Sequence, residues 1–510
     1  MYAKVNSLGL FGLNAFPVDV EIETSKGTPS FDIIGLADTA VKESRERIRS
    51  ALRASYINYP LNKIIVNLAP ADTKKTGSMH DLAIYVAMLC VTGNVAADIS
   101  RSAFIGEVSL NGDVRAVNGV LPMVLLAKKE GFSEVFVPKV NAFEASVVEG
   151  IKVYGAENTK ELIKHLDGSK PIAVQKPYAV SETDRFDTVD FADVKGQKQA
   201  KKALEIAAAG GHNVLMIGSP GSGKSMMAKR LPTILPAMTF EESIETTNVH
   251  SICGNLDPET PLITSRPFRS PHHSTSNAGL VGGGSIPHPG EISLAHNGVL
   301  FLDELAEFPR TTLDILRQPL EDKKVTLSRA SGSVTYPCSF MLVGAMNPCP
   351  CGYFGTVNRE CRCSKQQIAN YLSKISGPML DRFDIHCRIN PVDFESISST
   401  SKEESSAAIR ERVRRARDIQ TERFKGTGIT CNAGISDSII SEVCPLTDSA
   451  KDTIKNVFDK MGLSARGYNR ILKLSRTIAD MTGDEIIDKQ HVAQAVQFRT
   501  LDRQFFGSGR

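Results

Sequence analysis

The chain has 510 residues, 41% hydrophobic and 23% charged, and its 60 Lys and Arg against 57 Asp and Glu leave a net charge of +3. That is the composition of a globular protein of about three domains, and the near-balance of charge means that any basic surface for nucleic acid must be local. No run of about 18 apolar residues occurs and the start lacks the basic-then-apolar pattern of a secretory signal, so the expected location is cytoplasmic, with no membrane contact. In that compartment the 10 Cys point to thiols or metal ligands rather than disulfides.

Residues 18–23 alternate as a half-buried strand, 41–53 have helical spacing, 63–68 read as a second strand and 81–91 as an apolar helix. Residues 104–114 predict a hairpin around Asn111-Gly112, 123–131 a helix and 134–138 a strand. Together they predict an α+β domain over 1–170 with its own core. Within it, GEVSLNGDVRAVNGVLPMVLLAKKEGFSEVFVPKVN (106–141) resembles the proteolytic domain of Lon-type proteases. That resemblance aligns the family's Ser–Lys dyad on Met79 and Leu121, and neither side chain can do the chemistry. Ser78 lies one place off, and Lys75 is a poor substitute by position. The resemblance therefore implies a Lon-like, non-proteolytic domain kept for assembly or binding. Residues 171–186, polar and carrying prolines, are expected to form a linker.

Residues 199–209 predict an Ala-rich helix stopped by Gly210-Gly211. The apolar strand 214–217 then breaks into Gly218, Ser219, Pro220, Gly221, Ser222, Gly223, Lys224 and Ser225, which fits G-x-x-x-x-G-K-[ST] at every fixed position. Such a loop wraps the phosphates of ATP with backbone N–H groups. Lys224 reaches the outer phosphates, Ser225 ligates Mg²⁺, and the helix that follows turns its positive dipole end to the anion. About 80 residues on, the apolar strand 299–302 ends in Asp303 and Glu304. Carboxylates at the C-terminal end of such a strand suit an ATP site: Asp303 to hold Mg²⁺ through water, Glu304 to polarise the attacking water. The strand 339–346 ends on Asn347, whose amide either orients that water or serves a turn. Cys349, Cys351, Cys361 and Cys363 form two C-x-C pairs, a set that suits tetrahedral Zn²⁺. Redox chemistry and plain structural thiols stand as alternatives. The neighbours His272 and His273 fit a structural or pore-loop role better than a metal pair.

Residues 266–308 and 376–386 resemble the magnesium-chelatase-like branch of the AAA+ ATPases. The resemblance implies an α/β fold, with a parallel-sheet P-loop module and an α-helical lid behind the Lon-like domain. It matches Asn347 to sensor 1 and Arg382 to the arginine finger, which reaches the γ-phosphate of a neighbouring subunit and so implies a homohexameric ring. On the residues alone, Arg382 could instead pair with Asp381 or Asp384. The resemblance also marks 275–293 and 323–336 as inserts facing a central pore, where Lys323, Lys324 and Arg329 would contact DNA phosphates. Otherwise these three are surface charges. Residues 403–425, 448–461, 465–481 and 488–498 predict lid helices, and sensor 2 falls on Arg466, with Arg470 one turn on as the fallback. The expected organisation is 1–170, a linker at 171–186, an AAA+ module over 187–392 and a lid over 393–510, with the tail 505–510 frayed.

This order, with its C-x-C pairs, resembles the YifB/ComM family. Its ComM-type members are hexameric DNA helicases that promote branch migration while single strands integrate during natural transformation. The resemblance thus implies a DNA motor that uses ATP and Mg²⁺. A metal-chelatase motor subunit is disfavoured by the Lon-like domain and an ATP-dependent protease by the missing dyad, while an ATP-dependent remodeller stands as an alternative. A non-catalytic ring is disfavoured by the intact phosphate loop.

Overall fold

The computed structural model describes every residue except 96, 179–188, 285–286, 330–331, 357–358, 393–397, 399–402, 500–504 and 506–510. The linker from 179 on, the hairpin tip 330–331, most of the first ten lid residues and the tail from 506 on lie outside the described residues. The chain divides into two compact units. The first holds Met1–Glu182, Phe240–Ile263 and Thr326–Tyr336; the second holds the rest.

The first unit is built on a seven-stranded sheet in the order Ser30–Ile34, Lys63–Ala69, Asn14–Ser25, Tyr2–Phe11, Ser102–Phe104, Glu134–Pro138, Lys152–Ala156. Tyr2–Phe11 and Asn14–Ser25 form an antiparallel hairpin, and the last four strands of that order run parallel. The first strand has only weak alternation, yet it carries Val5 and Leu8 into the core. The hairpin expected over 104–114 is narrower: Phe104 belongs to the main sheet, and Glu107–Val108 pairs with Val114–Arg115 around the Asn111-Gly112 turn. The helix Asp81–Val91 is buried all round, as its unbroken apolar sequence demands. Its first residue, Asp81, is buried too, and Arg47 grips both carboxylate oxygens at 2.6 and 3.1 Å.

At the Lon-like position, Leu121 sits in a hydrophobic cluster against which Met79 packs. Ser78 donates to Glu107, while the buried Lys75 donates to the Pro70 carbonyl. The hydroxyl and the amine thus have separate partners. Two stretches lying within the expected 187–392 segment also pack into this unit. One is the helix Phe240–Ile252, with Ile244 and Leu262 against the same cluster. The other is the outer part of the hairpin Lys324–Arg329 and Gly332–Pro337.

The second unit is built on a five-stranded, wholly parallel sheet in the order Phe268–Arg269, Val299–Leu302, Met341–Met346, Val214–Gly218, Ile385–Ile389. The middle strands are buried throughout, as sheets covered on both faces require. Lys198–Gly210 covers the sheet and ends, as expected, at Gly211 in a left-handed cap. The helices Ser406–Arg423, Asp448–Met461, Ala465–Thr482 and Lys489–Gln497 follow. The middle strands therefore deliver their C-terminal ends, and the loops after them, to one edge.

Candidate ATP site

Val214–Gly218 lies between Met341–Met346 and Ile385–Ile389, with Val299–Leu302 one strand further. The phosphate loop leaves its end and turns through Gly221 and Gly223 at φ 74 and 92 into the helix Lys224–Ile234. Lys224 is only 9% exposed. Its ammonium donates to the carbonyls of Gly218 at 2.8 Å and Ser219 at 3.0 Å, and to Oδ1 of Asn347 at 3.2 Å. Burial pushes its pKa below the ordinary lysine value, and the Asp303 and Glu304 charges oppose that shift. Ser225 Oγ donates to Asp303 Oδ2 at 2.6 Å. Two hydrogen-bonded pairs, Lys224–Asn347 and Ser225–Asp303, thus gather four residues from three neighbouring strand ends.

That set fits its expected ligands. A buried ammonium held only by neutral oxygens favours an incoming phosphate. A hydroxyl touching a carboxylate supplies the hard oxygen donors that Mg²⁺ takes. Ser225 and Asp303 would hold the metal, which when bound neutralises charge on the phosphate oxygens. Glu304 lies beside them in a left-handed turn, φ 50, its N–H donating to Asp303 Oδ1 at 2.9 Å. Its side chain is 61% exposed and its Oε2 lies 3.5 Å from His273 Nδ1. The sequence alone assigns His273 no role at this site. Its position after Phe268–Arg269, which ends on the same sheet edge, is the signal that could have found it.

The remaining expected site residues lie apart from this set. Arg382 is ion-paired with Glu321, rather than with Asp381 or Asp384. Those two aspartates face Arg470, at 3.8 and 3.5 Å. Asp384 also accepts from His212 at 3.3 Å. Burial alone would raise the Asp384 pKa, but the His212 hydrogen bond and the charges of His212, Arg470 and Arg499 hold it far below the usual carboxylate range. Arg466, expected as sensor 2, is exposed at the start of Ala465–Thr482, whereas the fallback Arg470 is built into the unit. Lys323, just before the hairpin, and Lys324 and Arg329, at the two ends of its first strand, are exposed, while Val325, Leu327, Val334 and Tyr336 are buried.

The four cysteines after Asn347 do converge, with their sulfurs all within 4.8 Å of one another. Cys349 to Cys351 is 3.4 Å, and each lies 3.6 Å from Cys361. Tetrahedral Zn–S bonds of about 2.3 Å place sulfurs about 3.8 Å apart, so the donor set matches zinc.

Among known proteins, a family model described as magnesium chelatase, subunit ChlI matches residues 190–397. Companion models match 20–141, as subunit ChlI of Mg-chelatase, and 403–499, as its C-terminal part. The competence protein ComM of Haemophilus influenzae is 43% identical over 508 residues, 98% of each chain. YifB of Escherichia coli is 41% identical over 503 residues, 98% of this chain and 97% of that one. Lon protease 2 of Bacillus subtilis is 28% identical over 189 residues, 35% of this chain and 33% of its own. Among the described residues no helix is long and apolar enough to cross a membrane.

Proposed function

The chain belongs to the YifB/ComM family of magnesium-chelatase-like AAA+ ATPases, and from that premise we propose that it is an ATP-driven homohexameric ring motor on DNA. Its task is branch migration, promoting integration of single-stranded DNA by homologous recombination during natural transformation, in the cytoplasm. The observation that carries the enzymatic reading is the two adjoining pairs Lys224–Asn347 and Ser225–Asp303 beside an exposed Glu304. It brings phosphate-binding groups and a candidate water-activating carboxylate together within a single chain. The DNA reading is supported by full-length similarity to a competence protein and by the exposed Lys323, Lys324 and Arg329 at and beside the hairpin strand.

In this reading Lys224 and the loop amides bind the phosphates, and Ser225 and Asp303 hold Mg²⁺. Asn347 orients the water that Glu304 deprotonates. Arg382 stabilises charge in the neighbouring subunit's site after leaving Glu321. Arg466 or the better-placed Arg470 relays the event to the lid. The four cysteines hold a structural Zn²⁺.

Purified protein with ATP and Mg²⁺ should move a labelled three- or four-way DNA junction, and Lys224→Ala and Glu304→Gln should each abolish that movement. ATPase activity that ignores DNA, with no junction movement, would sink the DNA reading and favour a chelatase-type motor.

A further inference from the structure

We propose that the metal held by Cys349, Cys351, Cys361 and Cys363 fixes the ATP-binding loop, so that metal occupancy sets nucleotide affinity; this rests on the zinc reading above. The contact between them is direct. Gly352 lies inside the thiol turn, its N–H donating to the Cys349 carbonyl at 2.9 Å. It is buried with φ +83, and a Cβ placed on it would come 2.5 Å from Cδ and 2.8 Å from Cγ of Pro220, in the middle of the phosphate loop. The backbone of the cysteine turn therefore rests on the loop with no room for a side chain.

Two further links join the same segments. Asn347, which accepts from Lys224, stands two residues before the wholly buried Cys349. A cavity of about 370 Å³ is walled on one side by Gly218 and Ser219 and on the other by Phe354 and Thr356. Arg388 also lines it and donates to the Gly355 carbonyl. The thiol segment thus covers the first half of the loop.

Side-chain burial does not order that segment. From 351 to 363, Gly352 is the only buried position among the described residues. Among its described residues, side-chain packing comes down to ring contacts of Tyr353 with Arg359 and of Phe354 with Phe505. A polar loop of this kind takes its folding free energy from a bound metal. With the metal gone, the thiol turn keeps only scattered contacts, such as the Arg388–Gly355 hydrogen bond and the Phe354–Phe505 ring pair, to hold it against Pro220, and the surface that fixes the loop before nucleotide arrives loosens. A less preorganised loop binds more weakly.

The test uses the full-length protein. Metal content and affinity for a fluorescent, non-hydrolysable ATP analogue are measured before and after stripping with a thiol-directed mercurial plus chelator, then after adding zinc back. We expect about one zinc per chain, an affinity about tenfold lower once it is removed, and recovery on re-addition. Gly352→Ala keeps all four thiols, so it tests the contact even where the stripped chain unfolds. It should retain zinc and still weaken nucleotide binding. Protein isolated without metal overturns the zinc reading and this proposal with it. Zinc present, but affinity unchanged by its removal or by Gly352→Ala, overturns the coupling alone.

Discussion

Single residues in this chain are often costly in themselves and explained by what surrounds them. His80 is 1% exposed; its Nδ1 lies 3.0 Å from Ser7 Oγ, and its Nε2 has no hydrogen-bond partner among the described residues. Burial, with the Lys75 charge adding to it, pushes its pKa down to about 4. An unfolded histidine takes its proton near pH 6.5. Folding stability is therefore unaffected by this site above about pH 6.5, falls between 6.5 and 4, and reaches its full loss below that, about 3 kcal/mol in size. Denaturant unfolding of the whole protein across this range should show that acid sensitivity. His80→Asn, which has no proton to gain, should remove much of it; an unchanged pH profile would contradict the assignment. Glu304 has a different kind of cost: a non-glycine residue at positive φ is sparsely populated, and such strain gathers where a side chain must be aimed.

Among elements, the hairpin Lys324–Arg329 and Gly332–Pro337 shows how one sequence pattern serves two surfaces. Its alternation puts Val325, Leu327, Val334 and Tyr336 on a buried face and Lys324, Thr326, Ser328 and Thr335 on an exposed one. The tight connection after Tyr2–Phe11 helps fix it: Gly12 has φ 63, and a Cβ there would come 2.1 Å from Val334 Cγ1. A methyl at Gly332 would likewise meet the Phe11 ring at 2.8 Å. Gly12→Val should therefore destabilise the protein by about 2 kcal/mol, from backbone strain plus overpacking. Hydrogen exchange should show faster exchange over 326–336, with Lys198–Gly210 unaffected. Uniform exchange changes, or none, would mean that the contact does not hold the hairpin.

For the whole molecule, the proposed ring takes its finishing arginine from another copy of the chain. Arg382 is tied to Glu321 and only 10% exposed. In the proposed ring it acts on a neighbour's nucleotide. Lys224→Ala and Arg382→Ala proteins should each be inactive as ATPases, and mixing them should restore a measurable fraction of activity. Some interfaces then pair an intact loop with an intact arginine. Mixtures no more active than their components would place Arg382 outside the site.

The phosphate loop, the strand ending in Asp303-Glu304 and the strand ending at Asn347 were legible because each is a local pattern. Buried parallel strands read as apolar runs, and the chemistry follows directly at their ends. The helices Asp81–Val91 and Asp448–Met461 were legible for the same reason, through composition or spacing within one turn of chain. What only the tertiary structure decided depends on neighbours distant in sequence. His273 reaches Glu304 across 31 positions, Glu321 takes Arg382 from Asp381 and Asp384, and Arg470 takes those aspartates in turn. The helix Phe240–Ile252 packs apart from the module that encloses it in sequence, because Ile244 meets an apolar cluster of the first unit. Hydrophobic burial and charge pairing act on distance in space, and a linear pattern carries no record of that distance.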